Sequence, residues 1–94
     1  MNPPSLSPEQ MLVIADIFCA KFQVDVVNFA ALYAAAAVTN ASFHGVRVHP
    51  NVTNISFSLC DTIKKLRPLS DRNDSFGRFS SAVFEAYAST WEEM

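Results

Sequence analysis

Basic and acidic residues are concentrated between two strongly periodic apolar segments, and this is the part of the chain best suited to hold an anion. The basic members are Lys64, Lys65, Arg67, Arg72 and Arg78. Their charges would be enough to meet about one small anion. Two structural interpretations stay open: the basic residues could be solvated helix ends, and Asp71, Asn73 and Asp74 could simply cap the helix that follows.

Length and composition favour one compact domain. The chain has 94 residues, half of them hydrophobic, and a domain of this size buries roughly two thirds of its unfolded surface. The formal net charge of -2 and the pI of about 5.5 give no broad positive field, so nucleic acid is disfavoured as a partner. We expect residues 1–6 to be a disordered tail.

Two features of the sequence indicate where in the cell the protein is located: the beginning of the chain and its longest apolar stretch. No basic segment followed by an apolar core opens the sequence, so we expect a cytoplasmic protein without a secretory signal. Residues 29–38 are apolar but mostly alanine, and they are about half as long as a membrane span. They are better interpreted as a buried helix, and we expect no membrane partner.

The cysteines and histidines give no pattern for a metal or a disulfide framework. Cys19 and Cys60 are isolated thiols in apolar surroundings, typical of reduced core residues. His44 and His49 lie in an irregular segment near Pro50, with no carboxylate or thiol at ligand spacing. The sequence therefore predicts neither a metal site nor a bound cofactor.

The periodic segments predict an all-α domain of about four main helices. The first, over residues 8–21, starts with a capping box of Ser7 and Gln10 around Pro8. Asp25 can cap a second helix over residues 26–39, which is apolar nearly all round and should be central. Its alanines would let neighbouring helices approach closely.

The rest of the chain predicts a flap and two further helices. Residues 41–50 lose the periodicity around Gly45 and could form a small β-hairpin, either as a connector or as a flap over a groove. A third helix is predicted over residues 51–66, and it ends there because Pro68 disfavours helix at the residue before it. Its apolar face recurs every three or four residues, at Val52, Ile55, Leu59, Ile63 and Leu66. The last helix carries an aromatic stripe to the chain end, where Tyr87 and Trp91 are expected to be partly exposed. The stripe consists of Phe76, Phe79, Val83, Phe84, Tyr87 and Trp91.

From residue 67 onward, the loop resembles the signature of the Fic/Doc family, H-P-F-x-D/E-G-N-G/K-R-x-x-R. Pro68, Asp71, Asn73 and Arg78 match the signature, and Leu69 conservatively replaces its Phe. Four positions depart from the signature. Arg67 replaces the His, Arg72 the first Gly, Asp74 the Gly or Lys, and Ser75 the first Arg.

Two upstream segments extend the resemblance. Residues 25–32 are similar to the family's R-D-x-x-L-L-E-S-A-L helix, and residues 41–50 are similar to the A-S-F-x-G-x-x-x-Y-P flap of Doc-like members. Residues 5–88 follow the family in order with few gaps. The resemblance thus implies a Fic/Doc-like helical domain.

In active members of the family, the His is the general base for transfer of AMP or phosphate to a protein hydroxyl. Carried over, Asp71 would hold a cation, Asn73 a phosphate oxygen and Arg78 a negative charge. Arg67 cannot be the base because a guanidinium stays protonated, which removes an effect of about 10² to 10⁴-fold. Asp74 would also repel an anion at the helix N-terminus. The resemblance therefore implies a pseudoenzyme.

Our leading hypothesis is a catalytically inactive domain that binds and interferes with a cytosolic host protein. The resemblance further implies a phage or mobile-element origin and a relation to toxin–antitoxin systems. The expected partner-binding residues are Phe43, His44, Arg47, Arg67 and Arg72.

Two alternatives stay open. One is a residual transferase that uses ATP and Mg²⁺ with Asp71, and with His44 or His49 as base. The other is a decoy that occupies the antitoxin of an active relative.

Self-association through the C-terminal helix is also expected. It would bury apolar surface around Phe84, Tyr87, Ala88 and Trp91.

Overall fold

The computed structural model of the protein describes residues 5–40, 42–43, 46–47 and 52–92. In chain order the elements are α1 (Pro8–Phe22), α2 (Phe29–Val38), β1 (Ser42–Phe43), β2 (Val46–Arg47), α3 (Val52–Leu66) and α4 (Asn73–Glu92). The fold is all-α, as the sequence predicts. Residues 1–4 of the predicted disordered tail lie outside the described residues. The prediction was wrong for Leu6, which is buried in the core and whose N–H donates to the Thr39 hydroxyl at 2.8 Å.

Helix α1 begins where its capping signals predict. The Ser7 hydroxyl accepts the Gln10 N–H at 3.1 Å, and the Gln10 side chain accepts the Ser7 N–H at 2.8 Å. The helix ends at Gln23, whose left-handed backbone has a φ of 56°. One face of α1 is buried, through Met11, Ile14, Ala15 and Phe18.

Helix α2 begins later than predicted. Its N-cap is Asn28, whose side chain accepts the Ala31 N–H at 3.1 Å, so the expected cap at Asp25 was wrong. The intervening residues are extended because they pair with a distant loop, with Val26 forming an antiparallel bridge to Leu69. Local sequence carries no signal for such a pairing.

The predicted central position of α2 was also wrong. Only one side is buried, through Ala31, Leu32, Ala35 and Ala36, whereas Phe29 is 50% and Tyr33 is 45% exposed. The buried alanines do provide the small contact surface expected of them. A helix that is apolar all round gives no indication of which side the neighbouring helices will cover.

The predicted hairpin is present. β1 and β2 pair antiparallel, with Ser42 opposite Arg47 and Phe43 opposite Val46. The expected turn at Gly45 and the residues 48–50 lie outside the described residues. The hairpin connects the C-terminal end of α2 to the N-terminal end of α3.

Helices α3 and α4 form an antiparallel pair. Ser56 lies beside Ser81, and Cys60 beside Gly77, so residue numbers rise along one helix as they fall along the other. The Ser81 hydroxyl donates to the Ser56 carbonyl at 2.8 Å, and the Ser56 hydroxyl donates to the Ser81 carbonyl at 3.5 Å. A Cβ on Gly77 would lie 3.1 Å from both the carbonyl oxygen and the Sγ of Cys60, so glycine permits this close approach.

The core gathers residues from all four helices. Its largest fully buried side chains include Met11, Leu32, Ile55, Leu59, Ile63, Phe76 and Phe84. Burial of Ile55, Leu59 and Ile63 confirms the predicted apolar face of α3, although Leu66 at its end is 44% exposed. Among the described residues, no helix is long and apolar enough to cross a bilayer.

Candidate functional site

The loop before α4 is held by backbone pairing with the segment between α1 and α2. The N–H groups of Val27 and Asn28 both donate to the Pro68 carbonyl, at 2.8 and 3.1 Å. The Val26–Leu69 bridge lies beside these bonds. The loop that resembles the Fic/Doc signature is therefore part of a small extended pair, and its shape depends on residues far away in the chain.

A side chain and two unusual backbone conformations complete the loop. The Ser70 N–H donates to the Asp25 carbonyl at 2.8 Å, and the Asp25 N–H donates to the Ser70 hydroxyl at 3.0 Å. Arg67 and Arg72 are left-handed, with φ values of 50° and 61°. This conformation costs an L-residue roughly 1–2 kcal/mol, so the surrounding hydrogen bonds must hold it.

Asn73 is an internal brace of the loop. It is 2% exposed, its Oδ1 accepts the Leu69 N–H at 2.9 Å, and its Nδ2 donates to the Leu69 carbonyl at 3.0 Å. Both polar ends of the amide are thus committed to one backbone residue. The amide keeps one further N–H, so the contact with a phosphate oxygen that the resemblance implies for it stays a prediction.

The exposed part of the loop is electrically mixed. A small cleft of about 160 Å³ is lined by Arg67, Asp71, Arg72, Asn73, Asp74 and Ser75. Asp71 Oδ1 accepts the Arg72 N–H at 2.8 Å, and the Asp74 carboxylate lies in the first turn of α4. Because two carboxylates accompany the two guanidinium groups, the cleft has no net positive charge to concentrate an anion.

Arg78 lies away from this cleft. Its side chain lines a groove between α3 and α4, together with Phe57 and Cys60 among others. The structure therefore brings Arg67, Asp71 and Arg72 together with Asn73 and separates Arg78 from them. The sequence spacing alone does not distinguish these two placements.

The hairpin and the loop are attached to opposite ends of α3. This helix has 15 residues, so it is about 22 Å long. The predicted partner-binding residues are thus divided: Arg67 and Arg72 are exposed at one end, and Phe43 and Arg47 belong to the hairpin at the other. His44 lies outside the described residues, as does His49.

An apolar cleft next to the loop was not predicted from the sequence. It has a volume of about 320 Å³ and is lined by Ile17, Phe18, Lys21, Phe22, Ser75 and Phe79. The Phe18 ring centroid lies 4.6 Å from that of Phe22 and 5.7 Å from that of Phe79. The Arg72 guanidinium sits over the Phe22 ring, 5.0 Å from its centroid, and so joins the cleft to the loop.

One side of this cleft could have been predicted from the sequence. Phe18 and Phe22 are four positions apart in a helix, which places them on one side. Their meeting with Phe79, however, depends on how α1 packs against α4.

The Cys19 thiol offers little nucleophilic chemistry. Cys19 and Cys60 are free and half-buried. Burial raises the pKa of the Cys19 thiol, and the carboxylates of Asp16 and Asp25 raise it further, so the thiolate is disfavoured near neutral pH. Within the described ranges, no group of three or more His, Cys, Asp or Glu residues is arranged to hold a metal ion.

Comparison of the chain with protein-family models, curated proteins and solved structures finds no match.

Proposed function

We propose that the protein is a catalytically inactive Fic/Doc-like domain that binds and interferes with a cytosolic protein of a host. The observation that carries this proposal is the exposed Arg67 at the position where the family signature has its His. A protonated guanidinium has no lone pair for a hydroxyl proton, so it cannot start the transfer reaction. An exposed arginine is, in contrast, well suited to a protein interface.

The backbone of the loop supports the resemblance. Arg72 stands at a glycine position of the signature, and its φ of 61° is the conformation that glycine adopts most easily. A loop of glycine-compatible shape would thus have been kept after the glycine was replaced. The resulting strain is offset by the hydrogen bonds from Val27 and Asn28 and by the contact of Arg72 with Phe22.

The side chains of the loop support loss of phosphate chemistry. The Asn73 amide is hydrogen-bonded to the backbone of Leu69. The negative charges of Asp71 and Asp74 offset the positive charges of Arg67 and Arg72. Neither feature opposes protein binding, because interfaces tolerate mixed charge at their rim. The apolar cleft beside Phe22 offers the partner a place for an apolar side chain.

The proposed binding face has two parts. One is the loop with its neighbouring cleft, and the other is the hairpin, whose strands contain Phe43 and Arg47. His44, the remaining residue expected to bind the partner, lies outside the described residues. The attachment points of the two parts are separated by about the 22 Å length of α3. A typical interface covers about 800 Å² on each side, roughly 28 Å across, so this separation is compatible with one partner that contacts both parts.

Binding can be tested by quantitative capture from a bacterial lysate, followed by titration of the captured protein against purified variants. We expect Arg67→Glu to weaken binding at the loop and Arg47→Glu to weaken it at the hairpin, by about tenfold each if the arginine is an anchor worth about 1.4 kcal/mol. Lys65→Glu is the control for the charge change, because its side chain is exposed on α3 outside the loop. It also breaks the surface ion pair with Asp61, whose loss should cost at most about 1 kcal/mol of stability. Equal binding by all three variants would refute the proposed face.

Catalysis is tested separately with labelled ATP, Mg²⁺ and the same lysate. We expect no transfer of label to protein above that of a heat-treated sample. Transfer that disappears in Asp71→Ala but persists in Lys65→Glu would instead establish a residual transferase. Circular dichroism of each variant would verify that the helical fold is kept.

A further inference from the structure

The exposed groove between α3 and α4 is separate from the proposed binding face. It has a volume of about 280 Å³, and Phe57, Cys60, Arg78, Ala82 and Glu85 are among its lining residues. Phe57 is 75% exposed, the highest value for a large apolar side chain in the described part of the chain. In the monomer this ring remains in contact with water. Covering it with the surface of a partner would therefore be favourable.

The groove is shallow because the two helices lie close together. A Cβ on Gly77 would lie 3.1 Å from the carbonyl oxygen and the Sγ of Cys60, and one turn further along the helices Ser56 and Ser81 form reciprocal hydrogen bonds. Ala82, on the outer side of this seam, is exposed. A second helix could therefore approach α4 closely at Ala82 without a large side chain in its way.

The charges along the groove are self-complementary. Arg78 and Glu85 are about two helical turns apart on the same side of α4, roughly 10 Å along its axis, and Ala82 lies between them. A twofold axis near Ala82, perpendicular to α4, would place a second copy of α4 antiparallel to the first. Each Arg78 would then face the Glu85 of the other copy, which gives two equivalent ion pairs.

Phe57 fits the same symmetry. It follows Ser56, which is hydrogen-bonded to Ser81, so Phe57 lies level with the middle of the Arg78–Glu85 interval. The twofold axis that pairs the charges would also bring Phe57 next to Phe57 of the second copy, where each ring would be shielded from water.

From these observations we infer that the protein forms a twofold homodimer through the α3–α4 groove, with α4 antiparallel to its symmetry mate. The occupant is a second copy of the chain because the groove supplies both signs of charge at symmetric distances from its centre. This surface differs from the one suggested by the sequence, where Phe84, Tyr87, Ala88 and Trp91 were expected to associate. Phe84 and Ala88 are fully buried within one copy.

Sedimentation equilibrium with the purified 94-residue chain tests this dimer through charge reversal. Arg78→Glu alone and Glu85→Arg alone would each place like charges together twice, and we expect the dimer dissociation constant to rise about tenfold or more. The double variant Arg78→Glu with Glu85→Arg restores opposite charges, so its dissociation constant should return to within about threefold of the wild-type value. An equimolar mixture of the two single variants should form a heterodimer more strongly than either forms a homodimer.

A second pair of variants tests the aromatic contact. Phe57→Ala should weaken the dimer about tenfold, whereas Tyr33→Ala, an exposed aromatic residue on α2, should leave it unchanged. The inference is overturned if the wild-type protein is monomeric at several hundred micromolar, if single reversals do not weaken association, or if neither the double variant nor the mixture recovers it. Equal effects of Phe57→Ala and Tyr33→Ala would likewise contradict this surface.

Discussion

Helix α4 packs against its two neighbours by different means. Toward α1 it contributes Phe76 and Phe79 to an aromatic cluster around Phe18, with ring centroids 5.2 and 5.7 Å from the Phe18 ring. Toward α3 it presents Gly77 and small hydroxyl residues, which bring the two backbones close together. The aromatic side gains its stability from buried ring area. The α3 side also buries apolar residues of the core, but it depends in addition on close fit and on hydrogen bonds. The two sides should therefore respond differently to substitution.

The largest expected effect is on the aromatic side. Phe18→Ala should lower the free energy of unfolding by about 3–5 kcal/mol, because a 2%-exposed ring is removed and a cavity remains. Urea unfolding followed by circular dichroism measures this loss. Phe29→Ala, which removes a half-exposed ring from α2, should cost less than about 1 kcal/mol. Similar losses for the two variants would mean that the cluster is not tightly packed.

Next in size is the effect of added volume on the α3 side. Gly77→Val should destabilise the protein by about 1–3 kcal/mol, since even a Cβ would lie 3.1 Å from two atoms of Cys60. Ala86→Val, at an exposed position of the same helix, should cost no more than the difference in helix propensity, about 0.7 kcal/mol. Replacing Cys60 by Ala in the Gly77→Val background should recover part of the loss. No recovery would show that the backbone contact dominates.

A smaller effect is expected from the hydrogen bond across this seam. Relative to Ser89→Ala, which reports helix propensity at an exposed position, Ser81→Ala should be less stable by about 0.5–1.5 kcal/mol. Thermal unfolding of both variants gives the comparison. If the two variants are equally stable, the hydrogen bond to the Ser56 carbonyl contributes no net stability to the packing of α3 against α4.

The smallest effect should have the opposite sign. The Ser80 hydroxyl is buried and has no hydrogen-bond partner in the described part of the chain. Ser80→Ala should raise the free energy of unfolding by up to about 1 kcal/mol, because an unsatisfied polar group is removed and helix propensity improves. The same unfolding assay measures it. A loss of stability would show that this hydroxyl is satisfied in solution.

Local signals in the sequence were enough for much of the helical framework. The capping box at Ser7 places the start of α1, and the spacing of Ile55, Leu59 and Ile63 predicts the buried face of α3. Both features depend on residues within a few positions of one another. The hairpin was also predicted from a short segment with broken periodicity.

The parts that were missed depend on distant neighbours. The late start of α2 follows from the bridge between Val26 and Leu69, and the buried brace at Asn73 follows from the shape of the loop. Asn73 was predicted as a helix cap or a phosphate ligand because its side chain suits both roles. The left-handed backbone at Arg67 and Arg72 could not be predicted from the residue types, because glycine and asparagine are the residues that usually adopt that conformation.

The bridge between Val26 and Leu69 also determines when the loop can acquire its shape. The two bridged residues are separated in the chain by α2, the hairpin and α3, so the ends of this long segment must come together before the bridge can form. Closing such a segment carries a large entropic cost during folding. The loop should consequently form late, together with the packed whole. The amide protons that join the loop to its partner segment, at Val27 and Ser70, should then exchange with deuterated solvent as slowly as those of the core helices, which would make them reporters of global opening.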